Sequence, residues 1–407
     1  MRWRFPDPND VSETERRTAL LLASDRFWQH FRRAAPEISQ TFSRKAEFDI
    51  ADFMHRHLSP IDPRLMWEYG PPARGGEHRL VITPESEREL RPLVDTLLSR
   101  APSLPAWEFY AYRLPENLEQ TLATVAGRTQ VDVSGWQVRV VRGEHHLLDL
   151  KWLAPAGTQG EGLQYAACVA SETLLGEETL DTWIGEISVE EAPRPALLDR
   201  LFGRTPGRPE DHGLGSLKSR VESLIAEIDG ESSELPQSSV DHENDVEYTL
   251  FSLEPKEQDD YAGRFDLFTS VSGLPEMWRA AHSDLAFCSR RFSKHGETFC
   301  YVKLDGRDSA DHGDVRARGK IEDALNARLR PSGLGSGIGG GTGRRYTYID
   351  LAIRHLDHGL SEVRRVLREV GVPERSWLLF LDAHLQNEWL GIYDTTPPPP
   401  VSEVGDD

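Results

Sequence analysis

Residues 65–112, LMWEYGPPARGGEHRLVITPESERELRPLVDTLLSRAPSLPAWEFYAY, decide the fold class. Leu65, Trp67 and Tyr69 alternate with polar or smaller neighbours, the period of a half-buried strand. Residues 70–76 are glycine- and proline-rich and predict a turn, with Leu80, Val81 and Ile82 on the returning strand. After Pro84 the period lengthens. Leu90, Leu93, Val94, Leu97 and Leu98 recur at helical spacing, and Pro102 and Pro105 close that helix. A strand centred on Trp107 to Tyr110 follows, giving β-β-α-β. The same order recurs downstream: a strand at 136–140, a turn at Gly143, a strand at 147–152, a helix at 163–175 and a strand at 183–189. Two such units predict one mixed or antiparallel sheet with helices packed on one face, an α+β architecture.

Working outward, Ser12 and Glu15 have the spacing of a capping box, opening a helix to about residue 34 with Leu20, Leu21, Phe27 and Phe31 inward. A second helix is expected at 43–57, with Phe48, Phe53 and Met54 near one side, closed by Pro60 and Pro63. These elements make a first domain of residues 1–200. Residues 201–245 are rich in Gly, Pro, Ser and acid, the composition of a linker. Within it Leu217, Val221, Leu224, Ile225 and Ile228 form one amphipathic stripe. Residues 246–394 alternate strands (246–253, 264–271, 298–304, 345–353, 376–382, 388–393) with helices (275–290, 314–330, 358–370). That order predicts a ferredoxin-like α+β domain. Residues 395–407, proline-rich then acidic, are expected to be a disordered tail.

With 67 acidic against 47 basic residues the net charge is -20, which disfavours phosphate-backbone or anionic-membrane binding and favours a protein partner with a basic face. Three cysteines in 407 residues and an N-terminus without an apolar signal segment lead to the expectation of a cytosolic chain.

No familiar catalytic pattern emerges, and no cofactor is implied. The glycine run PSGLGSGIGGGTG at 331–343 contains Gly335, Gly337 and Gly340 at G-x-G-x-x-G spacing. A dinucleotide fingerprint needs a strand before and a helix after, and here the order is reversed. The run therefore reads as a flexible connector, with Gly335, Gly337, Gly340 and the following Arg344 and Arg345 as candidate ligand- or partner-binding residues. His282, Cys288, His295 and Cys300 offer metal-ligand atoms at spacings outside the short zinc patterns. His145 and His146 adjoin in an expected strand and would point to opposite faces; His55 and His57 are two apart on a helix. Asp305, Asp308, Asp311, Asp314 and His312 crowd one loop without the EF-hand order. Tyr110 and Tyr112, two apart on an expected strand, complete the candidates as one aromatic face.

Residues 64–112 and the later LLGEETLDTWIGEI at 174–187 resemble the bacterial family of unknown function numbered six hundred and ninety-five. The shared features are strand apolars, the AP-x-LP-x-W turn and the LLGE stretch. The segment GGGTGRRYTYIDLAIRHLDHGLSEVRRVLREVGVP is similar to a recurrent module of uncharacterised bacterial proteins. These resemblances imply a bacterial cytosolic α+β protein and no catalytic residues. The leading expectation is a non-catalytic binding or regulatory protein, such as an acidic inhibitor, immunity or defence-associated component. Alternatives are a hydrolase or transferase with a dispersed inter-domain site, and a small-ligand sensor using the glycine run.

Overall fold

The computed structural model describes residues 1–42, 47–158, 160–192, 212–242, 244–306 and 315–401, and of residues 315–317 the backbone alone. The chain divides into two compact units. One is Ala19–Asp229; the other joins Met1–Thr18 to Gly230–Asp407.

In the Ala19–Asp229 unit, α1 (Val11–Phe42) runs beyond the expected end near residue 34 and carries Pro36 inside it; the unit boundary falls within this helix. After α2 (Ile50–His57) come β1 (Met66–Gly70), β2 (His78–Thr83), α3 (Arg91–Ser99) and β3 (Trp107–Tyr110). β2 pairs antiparallel with β1 and parallel with β3. Trp28 and Phe31 of α1 pack edge-on to Phe109, Phe31 also to Trp107, and the Trp28 indole donates to the Leu97 carbonyl at 2.7 Å. Next come α4 (Leu118–Thr129), β4 (Gln137–Arg142), β5 (Leu148–Ala154), α5 (Leu163–Leu175), α6 (Glu177–Trp183) and β6 (Ile184–Glu191). β5 again pairs antiparallel with the strand before it and parallel with the strand after it. The two β-β-α-β units share a topology, but each closes its own three-stranded sheet. The expectation of one joint sheet is corrected.

Helix α4 lay outside the sequence expectation; Asn117 and Gln120 form its capping box. Its Val125 joins Trp136, Leu150, the fully buried Trp152 and Ala170 in one core. The amphipathic stripe inside the expected linker is α7 (Leu217–Glu231), whose Leu217, Val221 and Ile228 complete that core. His145 and His146 sit in the connection between β4 and β5, both with left-handed backbone, rather than on a strand.

The second unit is built on a seven-stranded, wholly antiparallel sheet. Its elements are β7 (Thr249–Ser252), β8 (Leu267–Ser272), α8 (Pro275–Ala280), β9 (Thr298–Asp305), α9 (Val315–Leu329), β10 (Gly335–Gly343), β11 (Tyr346–Ile353), α10 (Leu356–Val370), β12 (Ser376–Phe380) and β13 (Trp389–Gly391). The order across the sheet is β13-β12-β9-β11-β10-β8-β7. One face carries Cys300, Val302, Leu304, Ile349, Leu351 and Leu378 against α9 and α10, the main core. The opposite face carries Tyr301, Tyr346, Tyr348 and Trp377, packed with Tyr261 and Trp278.

The glycine run is a strand, not a connector. β10 lies between β11 and β8, and neighbouring backbone fills the space a side chain would need. A Cβ on Gly340 would stand 2.3 Å from the Tyr348 carbonyl oxygen, and one on Gly339 2.2 Å from that of Val271. Glycine here serves close approach between strands.

Candidate functional site

The sequence candidates fall into separate places. Gly335 opens β10, Gly337 and Gly340 lie within it, and the Gly337 amide donates to the Asn326 side chain at 2.8 Å. Arg344 is exposed at the β10–β11 turn. Arg345 turns inward to Asp260 (2.7 Å) and Asp305 (2.8 Å). Tyr110 and Tyr112 do not share a strand face, because β3 ends at Tyr110. Tyr110 donates to Glu108 at 2.6 Å, whereas Tyr112 lies 3.9 Å from the Arg91 guanidinium.

Among the metal candidates, Cys300 is buried under the helices, His282 bonds the Trp278 carbonyl at 2.7 Å, and His295 meets the Ser233 carbonyl at 3.0 Å. No group of three His, Cys, Asp or Glu among the described residues is placed to hold a metal ion. Asp308, Asp311, His312 and Asp314 lie outside the described residues; Asp305 closes β9 in its ion pairs.

A dense polar construction lies on the tyrosine-bearing sheet face. Asp266 accepts from the backbone amides of Arg345 (2.9 Å) and Tyr346 (2.8 Å) and from the Tyr348 hydroxyl. Arg375 reaches Asp260 at 2.9 Å and Asp305 at 3.0 Å, so the two aspartates share two guanidiniums. Lys303 is fully buried, donates to the Tyr261 carbonyl and lies 4.0 Å from the Tyr346 ring centre. Burial pulls its pKa down to about 8 against the pull of Asp266 and Asp260. Together these contacts fasten the segment preceding β8 onto the sheet.

That fastened segment forms one wall of an open groove of 560 Å³. Gly263, Arg264, Phe265 and Leu267 line one side, and Leu253, His282 and Tyr301 are among the others. Phe251, Trp278 and His282 make a continuous ring stack beside it, with centroid spacings of 3.7 and 3.9 Å. Burial, then the nearby Arg264 charge, pushes the His282 pKa down to about 4, leaving a neutral imidazole at neutral pH. Arg264 is itself held by Asp350 at 2.9 Å. A groove with apolar walls and a few fixed polar groups suits a side chain or a peptide segment.

Next to the groove is the sheet edge formed by β7 and β8, which with its flanking residues carries apolar side chains in solvent. Leu250 and Phe265 are each 65% exposed, Phe268 42% and Leu253 36%. Sequence reading missed these four as a site. Its available signal was an apolar strand, 246–253, set in an acidic run. No family model, no curated protein and no solved structure matches the chain.

Proposed function

We propose that this chain is a non-catalytic binding or regulatory protein that acts by contacting another protein, in the manner of an acidic inhibitor or immunity component. The observation that carries the reading is the exposed apolar surface at one sheet edge of the second unit: Leu253 and Phe265 line the groove with Phe268 across from Leu253, and Leu250 stands on the opposite face of the same edge. Contiguous exposed apolar side chains cost solubility and are characteristic of interaction sites. The whole chain's net charge of -20 supports a partner with a basic face, drawn in by long-range attraction. We also read the β9-α9-β10-β11-α10-β12 run, with its strand order β12-β9-β11-β10, as ferredoxin-like. In that reading β8, β7 and β13 are additions, and β7 and β8 bring the contact surface to the edge of the sheet.

The test is affinity capture from the native host with the intact chain and with Phe265→Asp. The expected result is a recovered partner whose yield falls about tenfold with the variant, a change of roughly 1.4 kcal/mol. Equal recovery by the two chains, or none above background by either, removes the reading.

A further inference from the structure

The two edges of the seven-stranded sheet are treated differently. At β13 the chain's own N-terminal residues close the edge. Arg2 lies 3.7 Å from the Trp389 ring centre and its guanidinium reaches the Trp389 carbonyl at 3.5 Å. The amides of Trp3, Arg4 and Phe5 bond the carboxylate of the adjoining Glu388. β7 has no comparable covering among the described residues.

We infer that β7 is a docking edge, at which an extended basic segment of a partner protein adds as an eighth strand beside Thr249–Ser252. The inference rests on the protein-binding reading above and specifies its partner and geometry. In an antiparallel ladder every second residue bonds the neighbouring strand. The Leu253 amide bonds the Phe268 carbonyl at 2.9 Å, so Phe251 and Thr249 also turn toward β8. Leu250 and Ser252 consequently turn their amides and carbonyls outward. Sheet edges are normally blunted by charge, proline or covering chain. Thr249–Ser252 contains no charged residue and no proline.

Side chains supply the specificity. By register Leu250 sits in line with Val271, Gly340 and Ile349 on the helix-covered face, while Leu253 is across from Phe268 on the other. An added strand with alternating apolar residues meets Leu250 on one face and the Leu253–Phe268 side on the other. Charge selects the occupant. Asp241, Asp245, Glu247, Glu254, Glu257 and Asp259 are exposed around β7, and among residues 241–260 the only Lys or Arg is Lys256. A lysine- or arginine-bearing strand is attracted; a second copy of this chain would set its own carboxylates against these.

The probe is a short peptide alternating lysine and valine, added to the full chain, with amide hydrogen exchange read residue by residue. Controls are an alternating glutamate–valine peptide and a lysine–valine peptide interrupted by prolines. The expected result is new protection at Leu250 and Ser252 with the lysine–valine peptide alone, weakening as salt is added. Ser252→Pro removes an outward amide, a position where an edge tolerates proline, and is expected to weaken binding at least about tenfold with unchanged thermal unfolding. Leu250→Lys provides an independent variant with the same expected loss. Binding without protection at β7, equal binding by the proline-interrupted peptide, no binding, or dimerisation through β7 each overturns the docking edge. Capture of the native partner that survives Ser252→Pro but not Phe265→Asp overturns the edge alone. Failure of the intact chain to capture any partner overturns the wider reading.

Discussion

Arg91 is 3% exposed, and its guanidinium is committed in several directions. It bonds Glu177 and Asp181 at 2.7 Å each, the Ala111 carbonyl at 2.8 Å and Thr83 at 3.2 Å, with Tyr112 on its face. Glu177, equally buried, also accepts from the Arg113 amide at 2.9 Å. These contacts join the first β-β-α-β unit to α6 of the second. Removing one member of such a knot strands a buried charge. Arg91→Met is expected to lower unfolding stability by about 3–5 kcal/mol, and the double variant with Glu177→Leu to recover much of it. Urea denaturation checks both, and a single-variant loss below about 1 kcal/mol would sink the argument. Glu322 poses the opposite problem, because burial raises its carboxyl pKa from 4.5 to about 7 against the pull of Arg318. Between those values the folded state keeps a proton that the unfolded chain has released. Its contribution is therefore full below about pH 4.5 and lost as pH rises toward 7. Glu322→Gln should gain on the native chain across that interval, by on the order of 2 kcal/mol, with no further change above it. Parallel stability curves for the two proteins would show that Glu322 does not titrate this way.

At the scale of elements, β10 shows how far local sequence goes. A strand announces itself by side chains alternating between two environments, and GSGIGGGTG offers only Ile338 as an apolar mark. Its identity comes from outside: β11 and β8 pair with it on both sides. By contrast the alternations around Trp67 and Trp136, and the stripe on α7, survive in the structure because each element carries its own pattern. The candidate site divides in the same way. The strand character of Thr249–Ser252 is legible in its residues, but its place at the sheet edge depends on which strands pair, a non-local fact. The close approaches around β10 give a contrast between two glycines. At Gly340 a Cβ meets the Tyr348 carbonyl at 2.3 Å, while at Gly337 its nearest neighbour is the Asn326 side chain at 3.4 Å. Gly340→Ala is expected to cost about 2–3 kcal/mol through backbone displacement, and Gly337→Ala no more than about 1 kcal/mol. Thermal unfolding of the pair checks the assignment, and equal losses would contradict it.

At the scale of the whole molecule, the N-terminal segment is covalently distant from the sheet it completes. Trp3, Arg4 and Phe5 give their amides to Glu388 at 2.6, 3.1 and 3.0 Å, and Glu388 is only 3% exposed. Arg2 pairs with Glu13 at 2.7 Å, and Phe5 stacks on Phe380 with centroids 5.2 Å apart. Nothing in residues 1–18 alone signals this destination, since the contacts to Glu388 and Phe380 span most of the chain. Deleting residues 2–9 would leave the Glu388 carboxylate without those three amide donors and open the β13 edge to other chains. The expected outcome is a loss of about 3–5 kcal/mol in the unfolding of the second unit, with increased aggregation on heating. A synthetic peptide of residues 1–18 should restore part of that stability in a concentration-dependent way, because it binds only the folded sheet. A deletion variant that unfolds like the full chain, or a peptide without effect, would mean that the segment is an ornament of the edge and not its cap.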